Sequence, residues 1–176
     1  MGSYSEEKFF LRNILNKIAV KETIINPKIT IIVYTLNSEQ NISNCLLSLA
    51  EQTLKEIEVI VIDRGSTDDT LNLLAVFEQV DARFKVIRQD YTSTNTAKTK
   101  NINLEISKGE YISFINPKCS IHEKIYEKLY TAAIKNKSNT ISKLFFHNSE
   151  YNKFPQLLNI KLIKNIKNIN KNNRGL

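Results

Sequence analysis

Four short apolar runs punctuate the chain: Ile29-Thr-Ile-Ile-Val33, Val59-Ile-Val-Ile62, Phe84-Lys-Val-Ile87 and Tyr111-Ile-Ser-Phe-Ile115. Each is rich in β-branched or aromatic residues and bounded by polar or turn-forming ones, which predicts strands. Val59 to Ile62 are all β-branched, the pattern of a strand covered on both faces, as in a parallel sheet flanked by helices. Between the runs, apolar residues recur at helical spacing. Thr35-Leu-Asn37-Ser-Glu can cap a helix carrying Ile42, Leu46, Leu47, Leu49 and Ala50. After Asp63, Gly65 permits a tight turn, and Ser66, Thr67 or Asp68 can cap a helix carrying Leu71, Leu73, Leu74 and Phe77. A third helix is predicted over Lys98 to Ile106, closed by Gly109. A fourth places Ile121, Ile125, Leu129 and Ala132 on one side and runs to about Lys135. This alternation predicts an α/β domain with a mainly parallel sheet.

The flanks read differently. Ser3-Tyr-Ser-Glu6 has the form of a capping box, and Phe9, Phe10, Ile14, Leu15 and Ile18 then mark an amphipathic helix over about 5–20. Ile141 to Phe146 are a candidate fifth strand. From Ile160 the chain is almost entirely Ile, Asn, Lys and Leu; on a helical wheel its apolar residues are spread, so it reads as a weak helix or a disordered tail outside the core. The expected division is a helical extension at 1–26, an α/β domain at 27–150 and a basic tail at 151–176.

Composition sharpens this in a few places. At 176 residues and 41% hydrophobic content the chain suits one core. The net charge of +7 suggests a nucleic-acid partner until it is located: residues 1–150 hold 19 basic and 18 acidic side chains, residues 151–176 hold 6 and none. A near-neutral body implies no specific nucleic-acid partner, and the tail invites only weak contact with an anionic membrane, at roughly 1 kcal/mol per basic residue. Cys45 and Cys119 are too few and too separated for a disulfide framework or zinc site. With no apolar run of membrane-spanning length and no leader pattern, the expectation is a cytoplasmic protein, peripheral at a membrane if the tail engages one.

The candidate chemistry begins with Asp63, at a strand's carboxyl end, where open α/β sheets bind ligands. A capped turn without a ligand explains the same residues. His122 and His147 are the only histidines, isolated from each other in the sequence, and read as surface residues rather than ligands or general bases. Asp68, Asp69 and Glu105 read as helix-end or surface charges. No dinucleotide-binding or Walker sequence follows any predicted strand. A receiver-like domain with Asp63 as phosphoacceptor fits the alternation but not the Gly65-Ser-Thr-Asp68 turn.

Six ordered blocks carry a more specific signal: Ile29 to Val33, Asn37-Ser-Glu39, Cys45 to Thr53, Ile57 to Asp68, Lys100-Asn101 and Lys108-Gly-Glu-Tyr-Ile-Ser-Phe114. Together, over about Pro27 to Ala133, they resemble the nucleotide-binding half of a family 2 glycosyltransferase. That resemblance implies a GT-A fold, a Rossmann-like three-layer sandwich, which binds a UDP- or GDP-linked sugar and transfers the sugar to an acceptor, here unknown. The residues it implies at the nucleotide sugar are Thr35, Asn37, Asp63, Lys100, Asn101, Asn116 and Lys118. Asp63 would meet the base or ribose, and Lys100 would meet the diphosphate as a point charge. The family also implies Mg²⁺ or Mn²⁺, held by an Asp-X-Asp sequence after the fourth strand. This chain has Asn116-Pro-Lys118 there, Arg64 where a second acidic residue is common, and Tyr34-Thr-Leu36 in place of a proline-aromatic pattern. An amide and an ammonium do not replace two carboxylates. Either Lys118 supplies the positive charge itself, or the module is catalytically inactive and serves binding or regulation. No residue presents itself as the catalytic base.

Overall fold

The structure, a computed structural model, describes residues 3–89, 105–147 and 156–164. Its elements, in chain order, are α1 (Ser3–Ile18), β1 (Ile29–Thr35), α2 (Glu39–Ala50), β2 (Ile57–Asp63), α3 (Thr70–Val80), β3 (Phe84–Arg88), β4 (Tyr111–Ile115), α4 (Ile125–Lys135), β5 (Thr140–His147) and β6 (Gln156–Lys164). The six strands form one sheet in the order β3-β2-β1-β4-β6-β5. The first four strands in the chain are mutually parallel, while β6 is antiparallel to both β4 and β5. This is the mostly parallel α/β architecture expected, preceded by the expected amphipathic helix.

Strand pleating sorts the apolar residues onto two faces. Ile29, Ile31 and Val33 of β1 and Ile57, Val59 and Val61 of β2 join Leu46, Leu49, Leu74, Phe77 and Leu129 from the helices in the main core. Leu11 and Leu15 of α1 are buried in that same core. Ile32, Ile60, Ile62 and Ile112 form a smaller cluster on the opposite face, with Tyr34, Ile87 and Ile106 against it.

Two polar locks sit at the amino-terminal ends of the strands. Arg83, fully buried, binds Asp81 at 2.6 Å and donates to the Ala50 carbonyl at 2.8 Å, tying the end of α2 to the approach of β3. Nearby, Gly109 N donates to Thr30 Oγ1 (2.8 Å) and Thr30 Oγ1 to Glu58 Oε2 (2.8 Å). A Cβ on Gly109 would lie 2.3 Å from Thr30 N, so only glycine lets the chain enter β4 this close to β1.

Two expectations need correction. Residues 160–164 are not a tail outside the core: they belong to β6, pairing Ser113 with Leu162 and Ile112 with Ile163, and Leu162 is completely buried. Leu158, Ile160 and Leu162 alternate with Asn159 and Lys161, a period of two that a helical wheel scatters. The fourth predicted helix starts at Ile125 rather than Ile121; Ile121 is buried from the preceding loop, and Ala133, not Ala132, enters the core. Of the predicted helix over 98–106 only 105–106 are described, and most of the polar stretch 89–96 and the remainder of the basic tail lie outside the described residues.

Candidate functional site

The carboxyl ends of β1, β2 and β4 lie side by side, with Thr35 in register with Asp63 and Val33 in register with Ile115. The turn after β2 is built around Asp63. Its carboxylate accepts from Gly65 N (3.1 Å) and Ser66 N (3.0 Å) through Oδ2, and from the Ser66 hydroxyl through Oδ1. Gly65 sits at φ 92°, a left-handed conformation that glycine adopts without strain. Asp63 is therefore at the predicted strand end, but 0% exposed and already engaged by three donors.

This turn is laced to the loop after β1. Asn37 N donates to Ser66 Oγ (2.9 Å), Thr67 N donates to Asn37 Oδ1 (2.8 Å), and Ser38 N donates to Thr70 Oγ1 (2.8 Å). Asn37 holds φ 47°, which asparagine tolerates better than most side chains. The helices then cap each other: Asp68 accepts from Glu39 N (3.2 Å) and Thr70 N (3.0 Å), while Glu39 accepts from Asp69 N (3.0 Å). Burial pushes the Asp68 carboxyl up, but hydrogen bonds from Thr70 and the Glu39 N–H more than offset it and hold it below the usual range. Helix N-termini ordinarily suit anions. Here Glu39 and Asp68 occupy N–H groups of α2 and α3 and place negative charge between them, so neither terminus invites a phosphate.

Thr35 is buried, and its hydroxyl has no hydrogen-bond partner among the described residues. On the opposite face of the sheet, the rings of Tyr34 and Phe114 stack with centroids 6.3 Å apart and planes 1° from parallel. Phe114 and Leu36 are each 44% exposed, giving this side of the rim an open apolar surface. Burial raises the Tyr34 hydroxyl pKa, against a smaller opposing effect of the Arg64 guanidinium.

The turn after β4 has the opposite character. Lys118 N donates to Asn116 Oδ1 (2.9 Å), and the Asn116 carbonyl accepts from Cys119 N (3.0 Å) and from Cys45 Sγ (3.7 Å). The side chains of Asn116 and Lys118 are exposed. Burial pushes both thiols up, so neither Cys45 nor Cys119 is an activated nucleophile. The Asn116 amide oxygen already accepts from the turn, and its N–H₂ group is a donor beside the exposed Lys118 ammonium. A divalent metal does not fit this donor set, and no cluster of three or more His, Cys, Asp or Glu occurs among the described residues.

Thr35, Asn37, Asp63, Asn116 and Lys118 thus gather at one end of the sheet, while Lys100 and Asn101 lie outside the described residues. His122 is exposed, its Nδ1 accepting from Lys124 N (3.2 Å). Sequence reasoning missed Ser66 as the bridge between Asp63 and Asn37, and Glu39 as a cap for the neighbouring helix. A carboxylate directly at the start of each of two successive helices was the available signal.

A model of the family described as "Glycosyl transferase family 2" matches residues 30–175. The chain is 36% identical over 90 residues to the putative glycosyltransferase EpsH of Bacillus subtilis (strain 168), covering 51% of this chain and 26% of that protein. It is 31% identical over 118 residues to the poly(ribitol-phosphate) beta-N-acetylglucosaminyltransferase TarP of Staphylococcus aureus (strain N315), covering 65% and 35%. Among solved structures, S. aureus TarS 1–349 in complex with UDP-GlcNAc superposes with a TM-score of 0.62 at 27% identity, covering 73% of this chain and 37% of that one. The chain therefore spans little more than a third of the length of these relatives, or less.

Proposed function

The chain belongs to glycosyl transferase family 2, and from that premise we propose that it binds a nucleoside-diphosphate sugar beyond the carboxyl ends of β1, β2 and β4 and takes part in transferring the sugar to an acceptor. The observation that supports this most directly is the lacing of the 35–38 loop to the 63–70 turn, which holds a shaped edge where open α/β sheets receive ligands. In this reading Asp63 acts through the turn it holds, and the backbone of both loops together with Asn37 faces the nucleoside. Asn116 and Lys118 stand toward the diphosphate, and Lys100 and Asn101 complete the site. The solved relative bound to UDP-GlcNAc makes a uridine donor the first to try.

A second reading, a module that binds the nucleotide sugar without transferring it, is favoured by Asn116 and Lys118 standing where the family's metal-binding carboxylates are expected. Calorimetric titration with UDP, GDP and their sugars tests the binding common to both. Saturable binding of at least one nucleoside diphosphate is expected; no heat with any of them removes the proposal. Release of free UDP or GDP from the sugar nucleotide in the presence of acceptor then separates the two readings.

A further inference from the structure

We infer that this donor site meets its diphosphate with the chain's own cation at the end of β4 and needs no divalent metal. The inference rests on the nucleotide-sugar reading above and specifies how its most highly charged part is held. A diphosphate placed beyond β1 and β4 requires positive charge or N–H donors, and the two nearby helix termini do not supply them. Glu39 and Asp68 already cap α2 and α3, and their carboxylates repel an anion. A metal would need anionic oxygens, but the Asp63 carboxylate is fully buried and holds three donors. At the β4 turn Asn116 has only a neutral oxygen, which already accepts from Lys118 N, and the donors that the turn presents are its amide N–H₂ and the exposed Lys118 ammonium.

Lys118 is suited to the task. It is exposed, and no carboxylate lies within ion-pair distance of it among the described residues. Its backbone is fixed by the Asn116 turn, which the Cys45 thiol braces from α2. A single ammonium meets a phosphate as a point charge without demanding octahedral geometry. Such binding weakens with ionic strength, because the ammonium remains within reach of screening salt.

The test is calorimetry of the full chain with UDP and with GDP, in EDTA and again with Mn²⁺. For the nucleotide that binds, the dissociation constants with and without metal are expected to agree within about twofold, since no ligand set gathers the ion. Lys118→Ala is expected to weaken binding about tenfold in both buffers while leaving Tm unchanged, the scale of losing one charge-assisted contact. The Asn116→Asp, Lys118→Asp double variant should bind poorly in EDTA and regain affinity with Mn²⁺. Wild-type binding that appears only with Mn²⁺, or a Lys118→Ala variant that binds as tightly as wild type, overturns the inference and leaves nucleotide binding intact. Absence of binding to either nucleotide in either buffer removes the nucleotide-sugar reading itself, and this inference with it.

Discussion

The turns that follow β2 and β4 flank the same strand at the same end of the sheet, yet one is spent inward and the other is turned outward. Asp63 looks like the ligand-binding residue, being acidic at the end of a buried strand, but its charge is consumed by Gly65 and Ser66. Asn116 and Lys118 look like a damaged site, yet theirs are the side chains left exposed. A buried carboxylate that accepts backbone N–H groups organises a loop; an exposed ammonium held on a closed turn can act on something outside the protein. Position at a strand end locates the site, and the direction of the hydrogen bonds tells which residues shape it and which face a ligand.

Removing Asp63 tests this contrast most severely. Asp63→Ala strands the Ser66 N–H and hydroxyl in a buried turn, at a cost of about 3 kcal/mol. In thermal unfolding this corresponds to a fall in Tm of roughly 10 °C for a chain of this size. A residue acting only on a ligand would show no such loss.

The next effect belongs to Asp68, which caps two helices at once. Asp68→Ala should cost about 1 to 2 kcal/mol, the scale of a lost N-cap. Because the folded state holds the Asp68 pKa below its ordinary value, its contribution is fully present above the ordinary carboxylate range and is lost as pH falls through the lowered folded value. Thermal melts from neutral to acid pH should show that part of the stability loss in the wild type and not in Asp68→Ala. Equal acid sensitivity in both would mean that the reciprocal caps contribute nothing.

Asn116→Ala is expected to be milder, about 0.5 to 1 kcal/mol, since it opens one hydrogen bond of an exposed turn. Circular dichroism melts of the three variants should therefore rank Asp63, Asp68 and Asn116 in that order.

Much of this was legible in the chain. The runs at Ile29, Val59, Phe84 and Tyr111 announced their strands because each is apolar, short and sharply bounded. Lys108-Gly-Glu-Tyr111 was recognisable as a block, but its physical reason, the near contact between Gly109 and Thr30, is a tertiary one that no local pattern contains. β6 is hard to see in the sequence because lysine and asparagine dominate the composition from Ile160 onward and mask an alternation of period two. The stacking of Tyr34 on Phe114 joins residues 80 positions apart in the chain, and only the register of β1 with β4 brings them together. Site residues could be placed at one end of the sheet from sequence; the partners that consume or release their hydrogen-bonding groups could not.

The smallest stability effect completes the contrast. Lys118 donates through its backbone N–H to Asn116, and that bond survives any non-proline substitution; its ammonium is exposed and takes no ion pair among the described residues. Truncating such a side chain removes neither packing nor a satisfied buried group, so Lys118→Ala should change stability by no more than about 0.5 kcal/mol. Lys118→Glu should be equally quiet, because among the described residues no carboxylate caps this turn for it to oppose. Chemical denaturation of both variants, with midpoint and slope compared to wild type, checks this directly. A loss near that of Asp63→Ala would mean that the lysine side chain holds the β4 turn as Asp63 holds the β2 turn, and the distinction between an inward-spent and an outward-facing turn would collapse.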